Sequence, residues 1–231
     1  MVGPGRNALL CVFLFFLVHG SFAIAQLSLD ASLASDNVYR GISLNAGDPA
    51  AALNLTWDAG SGWYVGGMAS QVHLYRRTQS SAQISANAGY AFRSESGLGW
   101  EFGGATTAFP DSAHYNYGEV FAGLLGEHWN ARLYISPDYF GRSERTIYAE
   151  FNTTHPLAEH LRWFAHVGAL HGLSGARGNV PLYDVAIGTG ARFGAFDLQV
   201  QWVDTSRLDY LYPAAAADTR HAWVASLTFS Y

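Results

Sequence analysis

Lysine does not occur in this sequence, and its only cysteine, Cys11, lies among the first dozen residues. Beyond Cys11 there is no thiol, which excludes disulfides, thiolate nucleophiles and cysteine-ligated metals from the rest of the chain. Charge is scarce as well, at 13% of residues against roughly 25% in ordinary soluble proteins. All 13 basic residues are arginine and the net charge is −5. The densest basic spot is the pair Arg76-Arg77, so there is no cationic face of the kind that nucleic-acid binding needs. After Val18 no apolar run approaches the roughly 17–25 residues of a membrane-spanning helix.

The one long apolar run, Ala8 to Val18, follows Arg6 and precedes Ala23-Ile24-Ala25. A short positive region, an apolar stretch too short to span and a small-x-small triplet form the pattern of a secretory signal. The expectation is cleavage after Ala25, leaving residues 26–231 as one exported domain.

The whole sequence is rich in glycine (25), phenylalanine (14), tyrosine (13) and tryptophan (7), and the exported domain alternates with period two almost throughout. From Ala82 to Phe92, the residues Ala82, Ile84, Ala86, Ala88, Tyr90 and Phe92 share one face. Ser81, Gln83, Ser85, Asn87 and Arg93 share the other. Trp129–Ser136, Thr146–Asn152, Phe196–Trp202 and Trp223–Tyr231 alternate in the same way. Such strands carry one apolar and one polar face. Strands are expected at 27–41, 50–58, 63–73, 81–93, 98–109, 115–125, 129–136, 145–153, 161–171, 181–193, 196–204 and 220–231. Short connections alternate with longer, more polar ones (42–49, 74–80, 110–114, 137–144, 172–180 and 205–219). Trp57, Trp63, Phe92, Trp100, Trp129, Phe151, Trp163, Phe193 and Phe196 sit beside the short turns. Alternating loop lengths, an even strand count and an aromatic girdle define a transmembrane antiparallel up-and-down β-barrel. In lipid, only closure satisfies the strand edges. The all-β barrel has twelve strands, with ten as the alternative because 27–41 and 63–73 are irregular. Both termini fall on the short-turn, periplasmic side, and Trp223–Tyr231 is the closing strand.

Ser35-Asp36-Asn37-Val38-Tyr39-Arg40-Gly41-Ile42-Ser43, followed by Gly47-Asp48-Pro49-Ala50 and Gly62-Trp63-Tyr64-Val65-Gly66, resembles the opening of a proteobacterial family of TorF-type porins, also known as a domain of unknown function. The resemblance implies an outer-membrane barrel with a porin role. It brings no catalytic residues.

With the apolar face toward lipid, the alternate positions face the lumen. The candidate lumen-lining residues are Asp36, Arg40, Glu101, Glu119, Arg132, Glu150, Arg162, His166, Asp184 and Arg192, with Asp30 and Asp58 in the same phase. They serve either as arginine–carboxylate pairs inside the tube or as an electrostatic constriction. Neither a metal nor a cofactor is expected. The rival enzyme reading rests on His171 with Ser174 and on His166, without the further context a serine hydrolase needs. The apolar loop 205–219 is expected to fold inward or to meet a partner. The sequence thus reads as a non-enzymatic outer-membrane porin for passive diffusion of small hydrophilic solutes, with a closed structural barrel as the alternative. Its partners are the bilayer and small polar solutes, not nucleic acid; a homo-oligomer is left open.

Overall fold

A computed structural model of the chain describes residues 26–74, 81–173, 181–206 and 221–231. Strand β1 (Gln26–Ala34) is followed by a small hairpin, β2 (Val38–Tyr39) and β3 (Ile42–Ser43). The remaining strands are β4 (Ala50–Asp58), β5 (Trp63–Val72), β6 (Ser81–Arg93), β7 (Gly99–Ala108), β8 (Tyr117–Leu125), β9 (Trp129–Ser136), β10 (Thr146–Pro156), β11 (Leu161–Gly172), β12 (Leu182–Phe193), β13 (Phe196–Thr205) and β14 (His221–Ser230). Short 3-10 segments, Pro110–Tyr115 and Tyr139–Gly141, occupy two of the long connections. β1 and β4–β14 close into an antiparallel barrel of twelve strands, which decides between twelve and ten.

Closure runs through β1, which pairs with β4 from Gln26↔Asp58 to Ala34↔Ala50 and with β14 from Asp30↔Ser230 to Ala34↔Ser226. Tyr231 extends this seam: its N–H donates to the Leu29 carbonyl at 2.9 Å, and its carbonyl accepts from Leu29 N–H at 3.1 Å. The start of β1 and the end of β14 therefore lie together at the short-turn end.

The expected phase holds around the wall. Leu33, Val120, Ile187 and Trp223 are exposed on the outside, whereas Glu101, Arg132, Asn152 and Gln201 are buried inside. In the irregular stretch after residue 62, Trp63 and Val65 face out and Tyr64 faces in. Trp57, Trp63, Phe92, Trp100, Phe151, Phe193 and Phe196 are exposed at the short-turn end. Tyr183 and Trp223 are exposed at the opposite end, which adds part of a second aromatic belt.

The first strand departs from expectation. It ends at Ala34, not near Gly41, so Asp36 and Arg40 are not on the wall. Arg40 and Gly41 both have positive φ, 48° and 76°, as the two central residues of a type I′ hairpin turn require. The chain folds back there with Tyr39 opposite Ile42. The phase break at Ile42 and Leu44 marks this hairpin, and Tyr39, Ile42 and Leu44 are buried within the barrel. Two other long loops also deliver apolar residues inward rather than standing as polar loops. Phe109, Tyr139 and Phe140 are fully buried.

Candidate functional site: the barrel interior

The inward hairpin is held at each of its distinctive residues. Ser35 exchanges bonds with β14: its N–H donates to the Ala225 carbonyl at 2.8 Å, and its Oγ accepts from Ala225 N–H at 3.0 Å. The Ser43 hydroxyl donates to Asp36 Oδ1 at 2.7 Å, tying the two arms together. Burial pushes the Asp36 carboxyl above its ordinary range, with the Ser43 bond opposing that. Gly41 faces the opposite wall, where a β-carbon would lie 2.7 Å from Asp184 Cβ and 3.0 Å from Thr205 Cβ. Close approach and a left-handed backbone both require glycine here.

Arg40 carries the tip. Its two terminal nitrogens donate to the two Glu119 oxygens at 3.0 Å each, and Nη1 also donates to the Tyr139 hydroxyl at 3.0 Å. The guanidinium stands over the Tyr148 ring, 3.9 Å from its centroid. Burial works against the charged guanidinium, but Glu119 and the surrounding tyrosines outweigh it and keep Arg40 cationic. Around it, Tyr117 packs on Phe140 (4.5 Å between centroids) and on Tyr139 (5.1 Å), and Phe109 on Phe140 (5.8 Å). The hairpin and two loops thus narrow the lumen at its long-loop end.

Below that layer the wall carries three further charge clusters. At mid-height Arg132 Nε donates to Glu101 Oε2 at 2.7 Å and Nη1 lies 3.9 Å from Glu150. The Tyr64 and Tyr134 hydroxyls donate to Glu101 and Glu150. Toward the short turns, Arg162 and Arg192 both donate to Asp197, at 2.8 and 3.2 Å. Higher on the same two strands, β11 and β12, His166 Nε2 meets Asp184 Oδ2 at 2.6 Å, and His166 Nδ1 meets Asn152 Oδ1 at 2.6 Å. The Tyr148 hydroxyl completes the group on Asp184. It can do so because its diagonal inward neighbour on β11 is Gly168, where a β-carbon would collide with it.

The sequence-derived residues therefore fall into five groups. Arg40 with Glu119, Glu101 with Arg132 and Glu150, and His166 with Asp184 line a common cavity of about 210 Å³, with Arg162 at its lower margin. Arg192 is bound up with Asp197 and does not border that cavity, and Asp36 serves the hairpin. Sequence reasoning missed Tyr64, Tyr139 and Tyr148 as partners of the charges. Tyr148 was legible as an inward-phase residue, but its reach depends on Gly168, diagonal to it on β11. His171 faces outward while His166 faces inward, because five residues along a strand reverse the face. Ser174 and most of the 205–219 loop lie outside the described residues. Among the described residues no group of three or more metal-ligating side chains occurs.

These features define a closed twelve-stranded barrel with an apolar exterior and a polar, charge-paired interior. Residues 20–231 match a family described as bacterial protein of unknown function (Gcw_chp), and the chain belongs to that family. The TorF-type porin name that the opening motif suggested is not part of that description. No curated protein matches the chain. Among solved structures, the KdgM porin is similar with a TM-score of 0.56 at 10% identity, covering 88% of this chain and 99% of its own. KdgM in complex with disordered oligogalacturonate gives 0.54 at 9%, covering 90% and 99%. The NanC porin gives 0.54 at 9%, covering 89% and 98%. At such identities the likeness is one of fold.

Proposed function

We propose that the protein is an exported outer-membrane barrel that admits small hydrophilic solutes by passive diffusion through a narrow lumen. The observation that carries this reading is the cavity of about 210 Å³, bordered by charged and amide side chains, in the interior of a barrel whose outer surface is apolar. Water and polar solutes match such an interior, and lipid matches such an exterior. The likeness in fold to the KdgM and NanC porins supports the same reading. Export relies on residues 1–25 as a cleaved signal. The constriction is the hairpin β2–β3 with its aromatic neighbours, so the solutes are small. No chemical step is assigned to His166 and Asp184, which we read as wall-fixing partners.

The packed long-loop end favours a second reading, a barrel with a sealed lumen and a structural role. Single-channel recording of refolded residues 26–231 in a planar bilayer separates the two. Discrete openings of small conductance, with swelling of proteoliposomes in small sugars, are the expected result. A silent bilayer with unaltered liposome permeability would overturn the porin reading in favour of the sealed barrel.

A further inference from the structure

The charges bordering the cavity do not balance: Glu101 and Glu150 share Arg132, and no ion pair engages Asp30 among the described residues. Five carboxylates border it (Asp30, Glu101, Glu119, Glu150 and Asp184), against three arginines and His166. Each of those arginines is engaged by a carboxylate: Arg40 by Glu119, Arg132 by Glu101 and Arg162 by Asp197. Asp184 has His166. Each guanidinium bordering the cavity thus has a carboxylate partner.

Asp30 is different. It is 5% exposed, borders the cavity at the middle of β1, and its Oδ1 has no hydrogen-bond partner. Its direct cross-strand neighbours are Asn54 on β4 and Ser230 on β14. Asn54 Nδ2 and Ser230 Oγ are buried without partners too, as is Ser28 Oγ two residues along the same inward face. A carboxylate in low-dielectric surroundings needs a compensating charge. Here the wall supplies two hydroxyls and the Asn54 carboxamide, and no cation. A carboxylate with hydroxyl oxygens beside it is the donor chemistry of a hard cation or an ammonium group.

We propose that the Asp30 wall is a docking position for monovalent cations, alkali ions or primary ammonium groups, and that it makes the lumen cation-selective. A single uncompensated carboxylate in a narrow, low-dielectric tube raises the local concentration of cations and repels anions. The proposal rests on the lumen being open, so it takes two measurements. The reversal potential of refolded residues 26–231 under a tenfold KCl gradient should have the sign of potassium permeation. Asp30→Asn should bring the permeability ratio several-fold toward unity while single-channel openings persist, and Asp30→Glu should retain selectivity. Heat-modifiable gel mobility establishes that each variant is folded. Independently of current, equilibrium dialysis of the detergent-solubilised barrel against rubidium should show binding in the wild type and Asp30→Glu, with loss in Asp30→Asn. Anion selectivity, or selectivity and rubidium binding indifferent to Asp30→Asn, would overturn the inference. A silent bilayer with Asp30-dependent rubidium binding would overturn the porin reading and leave the cation site standing.

Discussion

Arg40→Ala is the most direct perturbation of the constriction. It deletes a bidentate, buried ion pair with Glu119, a bond to Tyr139 and the face contact with Tyr148. Both partners are nearly fully buried, with side-chain exposures of 5% and 6%, so solvent screens the loss little. Removing one member of such a pair costs about 3–5 kcal/mol, because the other charge is left buried and uncompensated. If the hairpin leaves the lumen as a unit, that cost falls on its docking equilibrium. At about 1.4 kcal/mol per factor of ten, the undocked population rises roughly 150-fold or more. Tyr39, Ile42 and Leu44 still favour docking through apolar burial, so the variant barrel opens more often without losing its wall. Residues 26–231 contain no cysteine, which permits a clean assay. Ile42→Cys, 2% exposed in the docked state, should react with a maleimide far faster in the Arg40→Ala background, and mean conductance should rise with it. Replacing both partners by apolar residues of similar size, Arg40→Met with Glu119→Leu, should restore slow labelling. Unchanged labelling and conductance alongside a lower melting temperature would refute the reasoning and make Arg40 a fixed element of the fold.

Gly41→Ala should give the same phenotype by an unrelated route, since its β-carbon meets Asp184 and Thr205 and its φ of +76° disfavours any side chain; maleimide labelling at Ile42→Cys should rise without any charge being removed. Burial raises the Asp36 carboxyl above its ordinary range, so the docked hairpin holds this proton more tightly than the undocked one. Docking is then strongest below the ordinary carboxylate value of about 4 and weakens as pH rises through the raised one. Conductance should increase over that window, and Asp36→Asn should flatten the rise. Ile187→Arg places a cation on the exposed outer face of β12 and should lower unfolding stability in bilayers by about 2–4 kcal/mol; an unchanged urea midpoint would mean that this face does not contact lipid.

The wall was legible in the sequence because its rule is local. Whether Ile84 faces out and Gln83 in follows from a period of two and from which solvent each side meets, and Asp184 and Arg132 obey the same rule. Closure was legible too, since strand edges have no place in lipid. The hairpin was not, because Val38, Tyr39 and Ile42 are as strand-like as the wall, and neither face of the hairpin looks on lipid. Only the phase break at Ile42 and Leu44 and the Arg40-Gly41 dipeptide betray the turn, and that dipeptide reads as easily as a strand end. Yet the segment from Ser35 to Ser43 is the most motif-like stretch of the chain, and its structure supplies the reason. A wall residue needs only the right polarity, so many residues serve at each position. Ser35 must instead pair with Ala225, Asp36 with Ser43, and Arg40 with Glu119, while Gly41 must fit between Asp184 and Thr205. Specificity of sequence therefore collects in the insert rather than in the barrel. That is the distribution expected when the wall needs only two faces of opposite polarity and the hairpin has to fit one place inside it.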